Sequence, residues 1–182
     1  MKIGLFYGST TCYTEIVAEK IQQLITGLDA IDSQNHQVDV YNIKDTPLSE
    51  VADYDYLIFG ISTWDFGELQ EDWENIWEDI EQIDLNDKIV AIYGLGDQFG
   101  YTEWFQDAVG MLHDKAVLQD ATMVGYWPNQ GYEFEKSLAL TEDKSEFMGL
   151  ALDDESQYEL TDQRIADWCP QVLAEMQAVS EI

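Results

Sequence analysis

Basic residues are scarce in this chain. Eight Lys and Arg stand against 37 Asp and Glu among 182 residues, giving a formal net charge of −29, and Arg164 is the sole arginine. Proteins that bind polyanions displace counterions with clustered Lys and Arg, so nucleic acid and anionic membrane surfaces are excluded, and the partners of this chain are expected to carry basic patches. Cysteine is nearly absent too. Cys12 and Cys169 are too far apart to form the framework of a small secreted domain, and both thiols are expected to be reduced. Long apolar runs are missing: the longest, such as 56–62 and 89–95, reach about seven residues, whereas a membrane helix needs about 20. The N-terminus enters a strand-like run, Lys2 to Tyr7, without the basic region, apolar core and cleavage site of a secretory signal. Cytoplasmic residence is the resulting expectation.

What is present is enough for a core. Apolar residues make up 46% of the chain and aromatics 13%, which excludes the disordered class despite the charge. The length suits one domain spanning 1–182. Extended apolar runs at Lys2–Tyr7, Val38–Ile43, Tyr54–Ser62, Lys88–Gly94 and Ala121–Tyr126 read as strands. Between them lie patterns with a period near 3.6. Val17, Ile21, Leu24, Ile25 and Leu28 form one helix face and Leu69, Trp73, Ile76, Trp77 and Ile80 a second. Ile165, Trp168, Cys169, Val172, Leu173 and Met176 form the last, with Thr161 as the expected cap. Pro47 limits the link after the second strand to a turn or two, about Leu48–Ala52.

Strands alternating with helices imply right-handed crossovers and a doubly wound α/β architecture, a parallel sheet covered on both faces. A stretch from Trp127 to Glu146, with Pro128, Asn129 and Gly131, precedes a renewed apolar run, Phe147 to Leu152, and so interrupts the fifth strand. Two roles stand open for it: a structural insertion, or a docking element using Tyr132 and Phe134.

Ligands of such sheets sit beyond the carboxyl ends of the strands, which directs attention to three loops. Gly8-Ser9-Thr10-Thr11-Cys12-Tyr13-Thr14 runs straight into the first helix. Unpaired N–H groups, the positive end of the helix dipole and hydroxyls could there hold a phosphate without any cation. The loop lacks both the Lys of a P-loop and the G-x-G-x-x-G of a dinucleotide site. Ser62-Thr63-Trp64-Asp65-Phe66-Gly67 follows strand three, and Gly94-Leu95-Gly96-Asp97-Gln98-Phe99-Gly100-Tyr101 follows strand four. Taken singly, the hydroxyls are ordinary helix caps and the rings ordinary packing residues. Taken together, they suit a ligand with one phosphate and one flat polycycle.

The combination of Thr63-Trp64, Gly67-Glu68-Leu69-Gln70, Gly96-Asp97-Gln98 and the broken fifth strand resembles the flavodoxin family, its long-chain bacterial members and most closely the B-type. The resemblance implies a five-stranded sheet in the order 2-1-3-4-5 and non-covalently bound FMN. It assigns the phosphate to Ser9, Thr10, Thr11, Cys12, Tyr13 and Thr14, and the two faces of the flavin to Trp64 and Tyr101. Main-chain groups of Ser62, Thr63, Leu95, Gly96 and Asp97 would meet the ribityl chain and pyrimidine edge. The turn Asp65-Phe66-Gly67 would carry the peptide that reorients on reduction. Two positions depart from the pattern: Cys12 stands where most flavodoxins have Gly, and Ser62 where most have Pro.

The implied function is a low-potential carrier passing single electrons from an NADP-linked flavoprotein reductase to acceptor redox enzymes, not an enzyme, and expected to be a monomer. Its charge fits that role. Asp65 to Asp87 holds ten acids and no Lys, Arg or His. A carboxylate about 10 Å away contributes roughly 1.7 kcal/mol at an effective dielectric near 20, before screening. Several such charges should oppose reduction by an amount on the order of 100 mV. The alternative on the same fold is an FMN-dependent quinone or azo reductase. It would need a proton donor beside the flavin, whereas His36 and His113 read as ordinary surface residues. A phospho-receiver would need a carboxylate cluster after strand one and an Asp after strand three, where this chain has Gly8-Ser9-Thr10 and Ser62-Thr63-Trp64. An acidic mimic of nucleic acid would bind no chromophore.

Overall fold

The computed structural model describes residues 1–32 and 35–181. The chain runs β1 (Lys2–Tyr7), α1 (Tyr13–Asp32), β2 (Gln37–Asn42), a 3-10 turn (Leu48–Asp53), β3 (Tyr56–Trp64) and β4 (Glu68–Leu69). It continues through α2 (Glu71–Asn75), a second 3-10 turn (Asp79–Gln82), β5 (Ile89–Leu95), α3 (Asp107–Leu118) and β6 (Thr122–Val124). The rest is β7 (Trp127–Pro128), β8 (Glu146–Phe147), β9 (Leu150–Leu152) and α4 (Tyr158–Ser180).

The parallel sheet has the order β2-β1-β3-β5, with β6 and β9 both paired to β5. β6 lies against Ile89–Ala91 and β9 against Tyr93–Leu95. Together they make one fifth strand in two pieces, and the order 2-1-3-4-5 holds. The intervening excursion is closed by an antiparallel pairing of β7 with β8, Trp127 opposite Phe147. Tyr132 and Phe134 turn inward, with ring centroids 5.7 and 5.2 Å from Phe105, so these two rings serve packing.

Both faces of the sheet are covered. Val17, Ile21 and Ile25 of α1 join Ile165, Trp168, Val172 and Met176 of α4 over Ile3, Leu5, Ile58 and Tyr93. On the other side, Val109 and Leu112 of α3 pack with Trp73 and Phe105 over Phe6, Leu57, Phe59 and Ile92. Each fully buried side chain of this size contributes about 1.5–3 kcal/mol, which favours the sheet's continuously apolar strands. Among the described residues no helix is long and apolar enough to cross a membrane.

Four expectations need correction. The face from Leu69 to Ile80 does not form one helix: α2 is a single turn and a bit, and the 3-10 turn follows separately. Glu71 and Glu74, Glu74 and Glu78, and Glu78 and Glu81 are like charges three or four residues apart, which disfavours a continuous helix. α4 begins three residues before its expected cap, because Gln157 occupies the cap position while the buried Thr161 hydroxyl donates to Asp154 instead. α3 has no counterpart in the sequence reading. Its buried face contains Gly110 and His113 as well as Val109 and Leu112, and a Cβ at Gly110 would lie 2.2 Å from the Leu138 carbonyl oxygen. Close packing there needs a missing side chain rather than an apolar one. Finally, His36 and His113 are buried, not surface residues; the Nε2 of His113 shares a 2.7 Å hydrogen bond with the Tyr126 hydroxyl.

Candidate functional site

The loop after β1 is held from beneath. Gly8 N–H donates to the Gly60 carbonyl at 3.2 Å, and a Cβ on Gly8 would fall 2.1 Å from the Gln70 side-chain oxygen. Gln70, itself buried, accepts from the N–H groups of Asp72 and Trp73 and donates to Thr10 Oγ1 at 3.1 Å. Gln70 is thus both the cap of α2 and a strut for the loop, a role the sequence reading did not assign. The loop ends at Cys12, whose φ of 68° is left-handed and whose carbonyl accepts from Ile16 N–H to start α1. Cys12 thus carries a Cβ in a conformation that glycine adopts without strain. The Cys12 thiol is exposed and Cys169 is buried, both free.

Thr14 is clamped on two sides. Its carbonyl accepts from the Tyr93 hydroxyl at 2.8 Å, and its own hydroxyl lies 2.6 Å from that of Ser62. Tyr7 donates to Glu15 at 2.9 Å; burial and that carboxylate push its hydroxyl well above the ordinary tyrosine range. Ser9 Oγ is buried without a hydrogen-bond partner among the described residues.

β3 runs two residues past its expected end and turns back into β4, with Trp64 opposite Glu68. Asp65 at φ 41° and Gly67 at φ 85° make the turn. Thr63 Oγ1 accepts from Ala108 N–H at 3.0 Å, fastening the turn to the first residues of α3. Phe66 is 68% exposed, with its ring edge-on to Trp104 at 5.2 Å and to Tyr101 at 6.3 Å. After β5, Asp97 accepts from Phe99 and Gly100 N–H at 3.1 and 2.7 Å. This swings Tyr101 round until its hydroxyl meets Asp65 at 3.3 Å, and that hydrogen bond raises the phenol's pKa.

These loops enclose a cleft of about 240 Å³. Of the residues singled out from sequence, Thr11, Tyr13, Ser62, Thr63, Trp64, Asp65, Leu95, Gly96, Asp97 and Tyr101 line it. Ser9, Thr10, Cys12 and Thr14 sit in the adjoining loop, and Phe66 and Gly67 in the turn, without lining the cleft. Asp154 and Glu155 do line it and were missed, although they follow β9, and the rule that ligands gather beyond strand ends applies to that strand too. Burial raises the pKa of Asp154. Among the described residues, four carboxylates and no basic side chain line the cleft.

A family model described as flavodoxin matches residues 5–168. Flavodoxin 2 of Escherichia coli K12 is 52% identical over 176 residues, covering 97% of each chain. A flavodoxin of Nostoc sp. is 43% identical over 174 residues, covering 96% of each. Among solved structures, a Fusobacterium nucleatum flavodoxin bound to flavin mononucleotide superposes with a TM-score of 0.85 at 30% identity, covering 96% of this chain and 98% of that one.

Proposed function

The chain belongs to the flavodoxin family, and on that premise we propose which of its groups hold FMN and what kind of surface it docks against. It is an FMN-binding electron carrier and not an enzyme. Bound FMN supplies a flat ring that accepts and returns electrons singly; positioning, shielding and the electrostatic field come from the polypeptide.

The residues fit such a ligand. Ser9 Oγ and Trp64 Nε1 are buried donors without partners among the described residues. Buried polar groups left unpaired are costly, so a phosphate oxygen near Ser9 would relieve one of these costs. Ser9, Thr10, Thr11 and Thr14 supply hydroxyls around the start of α1, with Cys12 and Tyr13 adding main-chain N–H groups. Trp64 and Tyr101 cover the two faces of the ring, while Ser62, Thr63, Leu95, Gly96 and Asp97 present main-chain groups to the sugar chain and ring edge. Asp65, Phe66 and Gly67 form the turn beside it, which would carry the peptide that reorients on reduction. The observation that carries this reading is the meeting of an unpartnered serine hydroxyl, a helix start and two aromatic rings around one cleft.

The carboxylates at the cleft set the working potential. Asp65, Asp97, Asp154 and Glu155 each oppose added negative charge, and their sum makes this a low-potential carrier. The same field draws in partners bearing basic patches around their own cofactors, an NADP-linked flavoprotein reductase and acceptor redox enzymes. Encounter rates should therefore fall as salt rises. The excursion shares the core of the sheet through the buried Ala139, with Tyr132 and Phe134 packed against it, which supports one domain over 1–182. Mutual repulsion at a net charge of −29 supports a monomer, and two free thiols are consistent with the cytoplasm. Neither His36 nor His113 lines the cleft, and nothing there favours a quinone or azo reductase.

The test is recovery of the chromophore. Purified protein should be yellow and release one FMN per chain on denaturation. Colourless protein that takes up FMN no better than FAD would overturn the assignment.

A further inference from the structure

The paired hydroxyls of Thr14 and Ser62 have a direction that matters. They are 2.6 Å apart, within the ordinary range for an O–H to O hydrogen bond. Each hydroxyl has one hydrogen, so one hydrogen lies between them and the other is free. Thr14 is 1% exposed and cannot swing away, because it sits at the start of α1 with its carbonyl held by Tyr93. Gly60 leaves room for that Tyr93 ring: a Cβ there would fall 2.2 Å from its hydroxyl oxygen.

We infer that Ser62 is a positioning residue for the FMN phosphate, donating its hydrogen to Thr14 so that the Thr14 hydrogen is left for a phosphate oxygen. This rests on the reading that the cleft holds FMN. An anion at the helix start attracts the nearest hydroxyl hydrogen, and a charge-assisted hydrogen bond is about twice as strong as a neutral one. With Thr14 donating to the anion, its oxygen is the acceptor that Ser62 needs, and the two bonds polarise each other. In the reverse direction the Thr14 hydrogen would be spent on Ser62. The end of β3, which also carries Trp64, is thereby coupled to the phosphate loop, and the pair favours a phosphorylated flavin over one lacking the phosphate.

The experiment compares dissociation constants of FMN and riboflavin for the protein stripped of flavin. Ser62→Ala, which leaves the Thr14 bond to the phosphate in place and removes only its reinforcement, is expected to weaken FMN about threefold while leaving riboflavin unchanged. Thr14→Val, which removes that bond itself, should weaken FMN about tenfold, Thr14→Ser should retain the preference for FMN, and Ser62→Ala added to Thr14→Val should cause no further loss. Equal weakening of both flavins, no effect on either, or additive losses in the double variant would each overturn the inference while leaving FMN binding intact. Failure of the unaltered chain to bind FMN would instead overturn the functional reading, and this inference with it.

Discussion

Gln98 donates twice to the fully buried carboxylate of Asp153, through its main-chain N–H at 3.1 Å and its side-chain nitrogen at 2.7 Å. Asp153 also accepts from the N–H groups of Glu155 and Ser156 and from the Ser156 hydroxyl, and Gln98 Oε1 accepts from Glu133 N–H at 2.7 Å. One buried pair thus ties the Tyr101 loop, the Asp154 loop and the excursion together. Asp153→Ala would leave several donors unpaired and should destabilise the protein by about 3 kcal/mol. For a chain of this size that is a fall in Tm of roughly 6–12 °C, accompanied by weaker FMN retention. Thermal unfolding within a degree of the parent would refute it.

Cys12 holds a left-handed backbone with a Cβ attached. That conformation costs an ordinary residue about 1–2 kcal/mol, part of which glycine returns through its larger unfolded-state entropy. Cys12→Gly should therefore raise the stability of the FMN-free protein by about 0.5–1 kcal/mol. Cys12→Val, branched at Cβ, should lower it by about 1 kcal/mol or more. Urea midpoints decide the matter, and Val ranking above Gly would show that the loop is not strained.

The two thiols should differ in reactivity. Burial pushes the Cys169 thiol up to about 12, so at pH 8 a disulfide reagent should modify Cys12 alone, with Cys169 reacting only on unfolding. FMN should slow the Cys12 reaction in proportion to the fraction of protein bound. Indifference to FMN would place the ligand away from this loop.

The sheet was legible because its strands are short, apolar and separated by turn residues, and strand order then followed from the family pattern. The loops after β1, β3 and β5 were legible for a different reason: hydroxyls, glycines and aromatics are rare together outside ligand sites. What stayed hidden depended on charge and on absent side chains. The Leu69–Ile80 pattern has a sound helical period but too many acids to propagate it, and Gly110 packs by lacking a Cβ. Gln70 and Gln98 act through side-chain amides whose targets, Thr10 and Asp153, are 60 and 55 residues away. No periodicity encodes such contacts. Asp154 and Glu155 merged into the general acidity of the chain.

Asp107 should be a pH-dependent liability. Its carboxylate is buried at the start of α3 and accepts from Leu138 N–H at 2.8 Å, and burial raises its pKa above the usual carboxylate value. The folded state therefore binds this proton more tightly than the unfolded state does. The group's contribution is most favourable below the unfolded pKa and is lost as pH rises through the folded one. Asp107→Asn, which keeps an acceptor for Leu138, should be more stable than the parent at pH 7, and the gap should shrink toward pH 4. Glu142→Gln, at an exposed site, controls for the change in net charge; an equal gain there at both pH values would sink the argument.

The carboxylates lining the cleft should be separable by their depth. Removing one negative charge near the flavin makes the second electron easier to add, so Asp154→Asn and Glu155→Gln should both raise the lower one-electron potential. At about 10 Å and an effective dielectric near 20, one charge is worth roughly 1.7 kcal/mol, or about 70 mV, and screening by salt trims this to tens of millivolts. Asp154 is half-buried and Glu155 exposed, so ions shield Glu155 more. The Asp154→Asn shift should be the larger and should persist in high salt, while that of Glu155→Gln should fade. Because burial raises the pKa of Asp154, the parent's potential should also climb toward that of Asp154→Asn as pH falls through this pKa and the carboxylate takes up its proton. Redox titrations across salt and pH would measure this, and equal shifts with equal salt dependence would mean that depth in the cleft does not govern the potential.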